Sequence, residues 1–524
     1  MVTINTTGLE LVDQPVLPLD LRLAFALVAL LSVPFVLALI TGMLDRLQCW
    51  RLGKIRPEPV PHVSSVIPVI GHALELRRRG ARYLHQLIVN TSAEIFTIDV
   101  LFKKVWVVNP SLDRALAKHV RETSLSRVIS IIGQQSLQMS DKAVRTIAEY
   151  DPRPVHSQLF APGQGSAALA ESSACYIRER LSRQPCEQEV LVGRWMFDLV
   201  AGASAHTLWG PQNPWNNDGE FMRQFIILSD NFESLSQPMA RLTSRRAYQA
   251  RQFLVEELMA FHRKHRQGRE KSVAHRINAI AMSEQDWENN VDYYRCELLE
   301  ALGLLPTAGT LSVWLVRHLL ADAELRRKVV EEVRRLQLAK GDDECGGDTS
   351  SDSCCPPSGR LDLSEIRTRC PHLVAAWHET LRLHVTAVPR VATNDFELSV
   401  PSRPTPVAVR EDDVILLPML SFNLDPQTWG PDAGTFSAER FIDGSGRLSQ
   451  QRTRKVRGFG VAGNLCPGRN FGFDTVMASV AALLREFDVE SVPYPAPTAT
   501  TGINVGFERL ADDVPVRLTR IGRV

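Results

Sequence analysis

The chain has 524 residues, 44% of them apolar, and its 60 basic residues balance 59 acidic ones for a formal net charge of +1. Such a balance carries no electrostatic footprint for nucleic acid, and the apolar content excludes a disordered chain. The nine cysteines form neither paired C-x-x-C elements nor a disulfide framework, which points to a reducing compartment for the bulk of the protein.

At the N-terminus, residues 1–22 carry Glu10, Asp13 and Asp20 against a single basic residue, Arg22. Leu23 to Leu44 then form an uncharged run of 22 residues, about 33 Å long as a helix and enough to cross a bilayer core. The run is too long for the apolar region of a signal peptide, and no convincing small-residue cleavage site follows, so it is expected to stay as an anchor. Arg46, Arg51, Lys54 and Arg56 come directly after it, and the positive-inside rule puts residues 1–22 in the lumen and the rest of the chain in the cytosol. Asn5-Thr6-Thr7 then fits the pattern of a glycosylation acceptor on the luminal side. Residues 45–70 read as a basic, proline-rich linker in which Arg56-Pro57-Glu58-Pro59-Val60-Pro61 stiffens the exit from the membrane.

Beyond residue 70 no linker divides the sequence, so one large domain, 71–524, is expected. Ala323 to Gln337 reads as an amphipathic helix with charges at i, i+4 spacing. Lys340 to Gly359 is rich in Gly, Ser and Asp and reads as a disordered surface insertion; its Cys345, Cys354 and Cys355 are poorly spaced for zinc, with no histidine nearby. In His378-Glu379-Thr380-Leu381-Arg382 the glutamate and arginine, three apart, share a helix face and can pair. Pro389-Arg390-Val391-Ala392 follows, then a strand-like stretch from Ala408 to Leu417, and then Ala438-Glu439-Arg440-Phe441. A second strand is expected over Ala511–Ile521.

The segment Phe459-Gly460-Val461-Ala462-Gly463-Asn464-Leu465-Cys466-Pro467-Gly468-Arg469 sets one cysteine in a glycine-rich loop, directly before an apolar-faced helix over Asn470 to Glu486. A thiolate is a metal ligand, and backbone N–H groups, a helix N-terminus and a metal all lower the thiol pKa from its usual value of about 8.5. Small residues around Cys466 let the backbone approach a planar cofactor closely.

Taken in order, Glu379 and Arg382, then Arg440, then Phe459 seven residues before Cys466 and Gly468 two after it resemble the cytochrome P450 family, from about Arg56 to the C-terminus. The resemblance implies a mainly α fold with small β-sheets, here preceded by one N-terminal transmembrane helix. It implies heme b as cofactor, with Cys466 as the axial iron ligand and Phe459, Gly460, Asn464 and Gly468 in the cofactor-binding loop. Glu379, Arg382 and Arg440 would form a structural triad behind the heme. Arg390 would reach a heme propionate, which its planar, always charged guanidinium suits. The implied setting is the endoplasmic reticulum membrane, single-pass, with a monomeric cytosolic catalytic domain and no nucleic-acid partner. Electrons would come from NADPH-cytochrome P450 reductase, since the chain has no G-x-G-x-x-G after a strand for a nucleotide of its own. Lys455 and Arg457 are candidates for docking that reductase's acidic face.

Glu300 to Thr310 falls on the family's long I helix. Thr307 matches the threonine that helps deliver protons to oxygen, Pro306 stands where an acid is usual, and Leu304 replaces a glycine. Proline removes an N–H and is expected to kink the helix. Thr310 offers an alternative hydroxyl one turn on. The missing acid resembles the branch holding sterol hydroxylases and prostacyclin synthases, which contains both oxygen-activating and redox-neutral enzymes. Asn464 replaces the usual arginine or histidine, Ala462 replaces glycine, and W-x-x-x-R is absent. The readings are therefore a monooxygenase, a redox-neutral isomerase or dehydratase, and a non-catalytic heme-binding membrane protein. Recognition segments are expected near Ser124–Met139, Phe221–Met239, the I helix and Thr500–Gly506. Their apolar residues, with Ser, Thr and Asn interspersed, suit a lipophilic small molecule with a few polar groups, of the kind made in fungal secondary metabolism.

Overall fold

Helical periodicity dominates the chain beyond residue 70, and in the computed structural model it yields ten helices of twelve residues or more among the described residues. The structure describes residues 60–522 except 66–69, 102, 150–152, 237–238, 267–271, 276, 278–288, 337, 340–359, 362, 462, 491–496 and 500–505. The expected anchor over Leu23–Leu44, Asn5, most of the 45–70 linker and the 340–359 insertion lie outside the described residues.

In chain order the long helices are α1 (Ala73–Thr91), α2 (Ser126–Leu137), α3 (Gln164–Ser182), α4 (Val192–Trp209), α5 (Gly219–Asn231), α6 (Arg245–Lys264), α7 (Val291–Ala321), α8 (Ala323–Arg334), α9 (Pro371–His384) and α10 (Arg469–Glu486). The strands that frame them are β1 (His62–Val63), β2 (Ile95–Val100), β3 (Lys103–Val108), β4 (Thr123–Ser124), β5 (Glu187–Leu191), β6 (Ala387–Ala392), β7 (Val414–Pro418), β8 (Phe487–Glu490) and β9 (Pro515–Arg520). One sheet runs β1-β2-β3-β7-β6-β4, and a second runs β8-β9-β5. The stretch Ala408–Leu417 is two strands rather than one. Val407–Val409 and β7 are separated by Arg410-Glu411-Asp412-Asp413, where the Asp413 carboxylate accepts from the Arg410 N–H and Asp412 takes a positive φ. Short acidic side chains favour such turns by bonding nearby backbone.

Helix α7 is the spine. Asn290 caps its start by accepting from the Asp292 N–H, and Asp322 both ends it and caps α8 through the Leu325 N–H. It is long and apolar enough to cross a membrane, but Tyr293, Tyr294, Leu298, Ala301, Leu305, Trp314 and Leu315 are all fully buried, which makes it a core helix. Gly309 lets α7 pack closely on α4: a Cβ there would stand 2.7 Å from the Phe197 ring. The helix continues unbroken through Pro306. The missing N–H leaves the Leu302 carbonyl without its ladder donor, and packing on both sides outweighs the break that proline favours.

Behind α7 lie α9 and α10, which share the main apolar core with it. That core supplies a rigid floor for whatever stands between the Cys466 loop and α7.

Candidate functional site

Cys466 sits where the loop hands over to α10. Its N–H donates to the Phe459 carbonyl at 2.7 Å, which closes the loop, and Asn464 N–H donates to the Val461 carbonyl at 3.2 Å. Gly460 has φ +120°, and a Cβ there would fall 2.1 Å from the Asn464 carbonyl oxygen, so only glycine permits this closure. Gly468 is the residue before the first turn of α10, and its Cα lies against the Cys466 sulfur: an added Cβ would be 3.9 Å from Sγ. The Arg469 side chain donates to the Cys466 carbonyl at 3.0 Å. Phe459 packs toward Trp377 of α9, ring centroids 6.3 Å apart. The expected loop residues Phe459, Gly460, Asn464, Cys466 and Gly468 are thus brought together.

Cys466 is exposed by surface area, yet surrounding protein desolvates it enough to push its thiol pKa up, against the Gly468 N–H and the Arg469 charge that pull it down. Both statements hold for a sulfur set in a concave wall. A metal cation is the partner that favours its thiolate there.

Behind the loop, Glu379 and Arg382 of α9 are fully buried and form a bidentate pair, both contacts at 2.7 Å. Arg440 approaches the same carboxylate at 3.4 Å, and the Ser437 N–H donates to it at 2.9 Å. The remaining Arg382 nitrogen, Nη1, donates to both the Asn423 and the Ala433 carbonyls, each at 2.6 Å. Glu379, Arg382 and Arg440 therefore meet as expected, and Asp432, which accepts from Arg440 at 2.8 Å, supplies the second carboxylate that compensates two guanidiniums, the condition under which a buried ion pair is tolerated. Sequence reasoning missed Asn423. It accepts from Arg382, and its side chain also donates to the Arg457 carbonyl at 3.1 Å and accepts from the Arg457 N–H at 2.9 Å. Asn423 so ties the triad to the strand of backbone leading into the cysteine loop. Its signal in the sequence is only an asparagine before Leu424-Asp425-Pro426, a common turn composition.

Arg390 lies on β6 opposite Ile415 of β7 and is 2% exposed. Among the described residues its side chain makes one hydrogen bond, to the Pro389 carbonyl at 3.1 Å, and no carboxylate pairs with it. Burial pulls its pKa down to about 10. A desolvated guanidinium of this kind calls for an anion, and the carboxylates of a heme are of the right chemistry. The exposed cysteine with its desolvated thiol, and the buried cation that has no counter-ion among the described residues, fit the expected heme. Among the described hydrogen bonds, Arg390 joins neither the loop nor the triad.

On α7, Gly303, Thr307 and Thr310 stand at i, i+4 and i+7 and so share one face. Gly303 is exposed and both threonines are half-buried, although the helix around them is core. The Thr307 hydroxyl donates to the Gly303 carbonyl at 3.0 Å. Two of the expected recognition segments border this helix. Gly506 lies against Thr307, and Gly133 of α2 lies against Leu299, each within reach of an added Cβ. The 500–505 part of the last segment lies outside the described residues. Lys455 is exposed, whereas Arg457 already pairs with Asp113 at 3.7 Å.

The model of the family described as Cytochrome P450 matches residues 216–501. Among curated proteins, the chain is 23% identical over 466 residues to "Cytochrome P450 monooxygenase nodJ" of Hypoxylon pulicicidum, covering 84% of this chain and 85% of that one. It is 21% identical over 490 residues to a "Cytochrome P450 monooxygenase" of Gibberella zeae, covering 88% of each. It is 26% identical over 301 residues to "Cytochrome P450 monooxygenase poxD" of Penicillium oxalicum, covering 56% of this chain and 57% of that one.

Proposed function

The chain belongs to the cytochrome P450 family of heme-thiolate oxidoreductases, and from that premise we propose that it is a membrane-anchored monooxygenase. It oxidises a lipophilic small molecule, in fungal secondary metabolism, with O2 and electrons from an NADPH-dependent reductase. The observation that carries this reading is Cys466, an exposed cysteine on a hydrogen-bonded loop at the start of α10.

The heme, when bound, supplies oxygen activation, favoured by electron density from the thiolate. The protein's part is placement. Cys466 supplies the sulfur. The Phe459 carbonyl holds that cysteine in place by accepting from its N–H, and the Gly468 N–H offsets part of the thiolate charge. Arg390 supplies a buried positive charge for a propionate. The apolar walls of α7 exclude water, and the Thr307 hydroxyl, with its proton committed to the Gly303 carbonyl, is left as an acceptor that orders a proton-donating water. Asn464 and Gly460 shape the loop, and Thr310 offers a second hydroxyl on the same face. Residues 23–44 anchor the protein in the endoplasmic reticulum membrane with the catalytic domain in the cytosol, where Lys455 helps meet the reductase.

A redox-neutral isomerase or dehydratase is the second reading, favoured by one observation: Pro306 holds the position next to Thr307 where a carboxylate would serve proton delivery. Mass spectrometry of small-molecule extracts from the host with and without this gene separates the two. A precursor and product differing by oxygen gained or hydrogen lost supports the monooxygenase. Isomers, or a pair differing by water, overturn it.

A further inference from the structure

The short segment from Gly506 to Arg509 is fastened to four different helices or their ends. The Gly506 carbonyl accepts from the Thr386 N–H at 2.9 Å, and the Glu508 N–H donates to the His384 carbonyl at 2.8 Å, at the end of α9. Trp314 of α7 donates its indole N–H to the Glu508 carbonyl at 2.6 Å. Arg509 pairs with Asp230 of α5 and donates to the Ser229 carbonyl at 3.0 Å.

The Glu508 side chain is the strongest of these fastenings. It is 5% exposed and accepts two hydrogen bonds from Arg82 of α1, each at 2.7 Å. Its second oxygen lies 3.4 Å from Nδ1 of His384, whose Nε2 in turn lies 2.8 Å from Nε2 of His318 on α7. Burial pushes the Glu508 pKa up and the Arg82 pair opposes it; with the carboxylate accepting from Arg82, His384 donates from Nδ1 and accepts from the His318 N–H, a continuous directional chain. The rings are clamped as well: His384 stacks on Trp314 with centroids 3.5 Å apart, and His318 stacks on Phe436 at 3.8 Å. A bidentate charged pair fixes direction as well as distance.

The other end of the segment faces the reaction space. A Cβ on Gly506 would lie 3.7 Å from both Cγ2 and Oγ1 of Thr307, so the Gly506 backbone is the wall beside that hydroxyl. Gly506 has φ +81°, a conformation that glycine alone adopts readily and that gives the wall no side chain to brace itself. Its place is therefore set two residues away.

We propose that Glu508 is a positioning residue which, clamped by Arg82 and His384, fixes the Gly506 backbone against Thr307 and thereby sets the bulk of substrate admitted beside that hydroxyl. This rests on the reading of Thr307 as facing the substrate above a Cys466-ligated heme. A looser segment changes the fit of a molecule that extends over α7 and leaves unaffected one that reaches only the iron.

Two probes distinguish these cases in the full-length, heme-loaded protein: imidazole, which needs little room beyond the iron, and 4-phenylimidazole, whose added phenyl ring needs room on the substrate side, where the proposed reading puts Thr307. Binding of each is read from the Soret shift in the unaltered protein and in Glu508→Ala, Glu508→Gln and Arg82→Ala. The expected result is a change of about fivefold or more in 4-phenylimidazole affinity for Glu508→Ala and Arg82→Ala, with imidazole within about twofold. Glu508→Gln, which keeps an acceptor of the same shape, recovers most of the loss. Arg82 is half-exposed, so its variant carries the test should Glu508→Ala fail to take up heme. Unchanged affinities for both probes, or equal changes for both, overturn the positioning role. An unaltered protein whose reduced carbon-monoxide spectrum lacks the thiolate signature overturns the reading beneath it, and the positioning role with it; a normal spectrum with probe-blind variants overturns the positioning role alone.

Discussion

Replacing Arg390 by methionine separates what this residue costs the fold from what it contributes to the cofactor. Arg390 is 2% exposed, hydrogen-bonds only to the Pro389 carbonyl among the described residues, and has its pKa pulled well below the ordinary guanidinium range, to about 10, by desolvation. At about 1.4 kcal/mol per pKa unit, a cation held without an anion there costs about 3 kcal/mol, an upper bound because water penetration reduces the effective penalty. Arg390→Met keeps most of the volume and removes the charge, so heme-free protein is expected to gain about 1–3 kcal/mol of stability in denaturant unfolding. The heme-loaded protein is expected to behave oppositely. Loss of a charge-assisted bond worth about 1.5–3 kcal/mol speeds heme transfer to an acceptor protein by about tenfold or more. The opposite signs are the point of the experiment. A heme-free variant less stable than the parent, or an unchanged rate of heme transfer, refutes the argument that this guanidinium waits for an anion.

Glu379→Gln removes the counter-charge of buried Arg382 and leaves it one amide oxygen beside the backbone carbonyls, and should destabilise the domain by about 3–5 kcal/mol, seen as a lower thermal midpoint and poor heme retention; a change below about 1 kcal/mol would show the triad to be dispensable. His318 and His384 are held well below their ordinary pKa by burial, and His378 is lowered to about 4 by the same cause. Depressed in the fold and near 6.5 when unfolded, these groups let the unfolded state bind more protons only below about pH 6.5, so stability is full above that value and falls as pH drops toward 4. The slope is at most about 4 kcal/mol per pH unit for the three together, and denaturant unfolding between pH 7.5 and about 5 that shows no such fall would count against their being neutral in the fold.

What the sequence makes legible is what is local. The Cys466 loop works through contacts spanning a few residues, its glycines answer to backbone geometry within the loop, and Glu379 and Arg382 are one turn apart on one helix, so spacing alone finds them. The two-strand structure around Arg410–Asp413 was hidden because β-forming residues flank it on both sides and the turn is acidic rather than glycine-rich. Contacts made by topology leave no trace in spacing. Asn423 meets Arg382 across 41 positions, and Arg82 meets Glu508 across 426. Neither pair has a period, a motif or a composition to announce it. Pro306 shows the limit of a strong local rule: proline disfavours a helix interior by about 3 kcal/mol, yet α7 continues through it, because the buried faces on either side are worth more together than one turn's hydrogen bond.

The monooxygenase and redox-neutral readings proposed above differ in what they ask of the Thr307 hydroxyl. Its hydrogen is given to the Gly303 carbonyl at 3.0 Å, a common arrangement for threonine within a helix. The oxygen can still accept, so with a proline and no acid at the preceding position the monooxygenase reading proposed above assigns proton delivery on this face to water held by Thr307. An oxygen-activating enzyme needs that water at a defined place. A redox-neutral one does not. Thr307→Val keeps the β-branched shape and removes the acceptor. For a monooxygenase, product formed per NADPH consumed is expected to fall by about tenfold or more, with the missing electrons recovered as peroxide, since a placed proton donor is worth about 10² or more in rate. Measured with purified reductase and the precursor found in the gene-deleted host, an unchanged ratio of product to NADPH means that Thr307 places no proton, and the relay must be sought at Thr310. Turnover that proceeds without NADPH and is indifferent to the substitution places the chain among the redox-neutral members of its family.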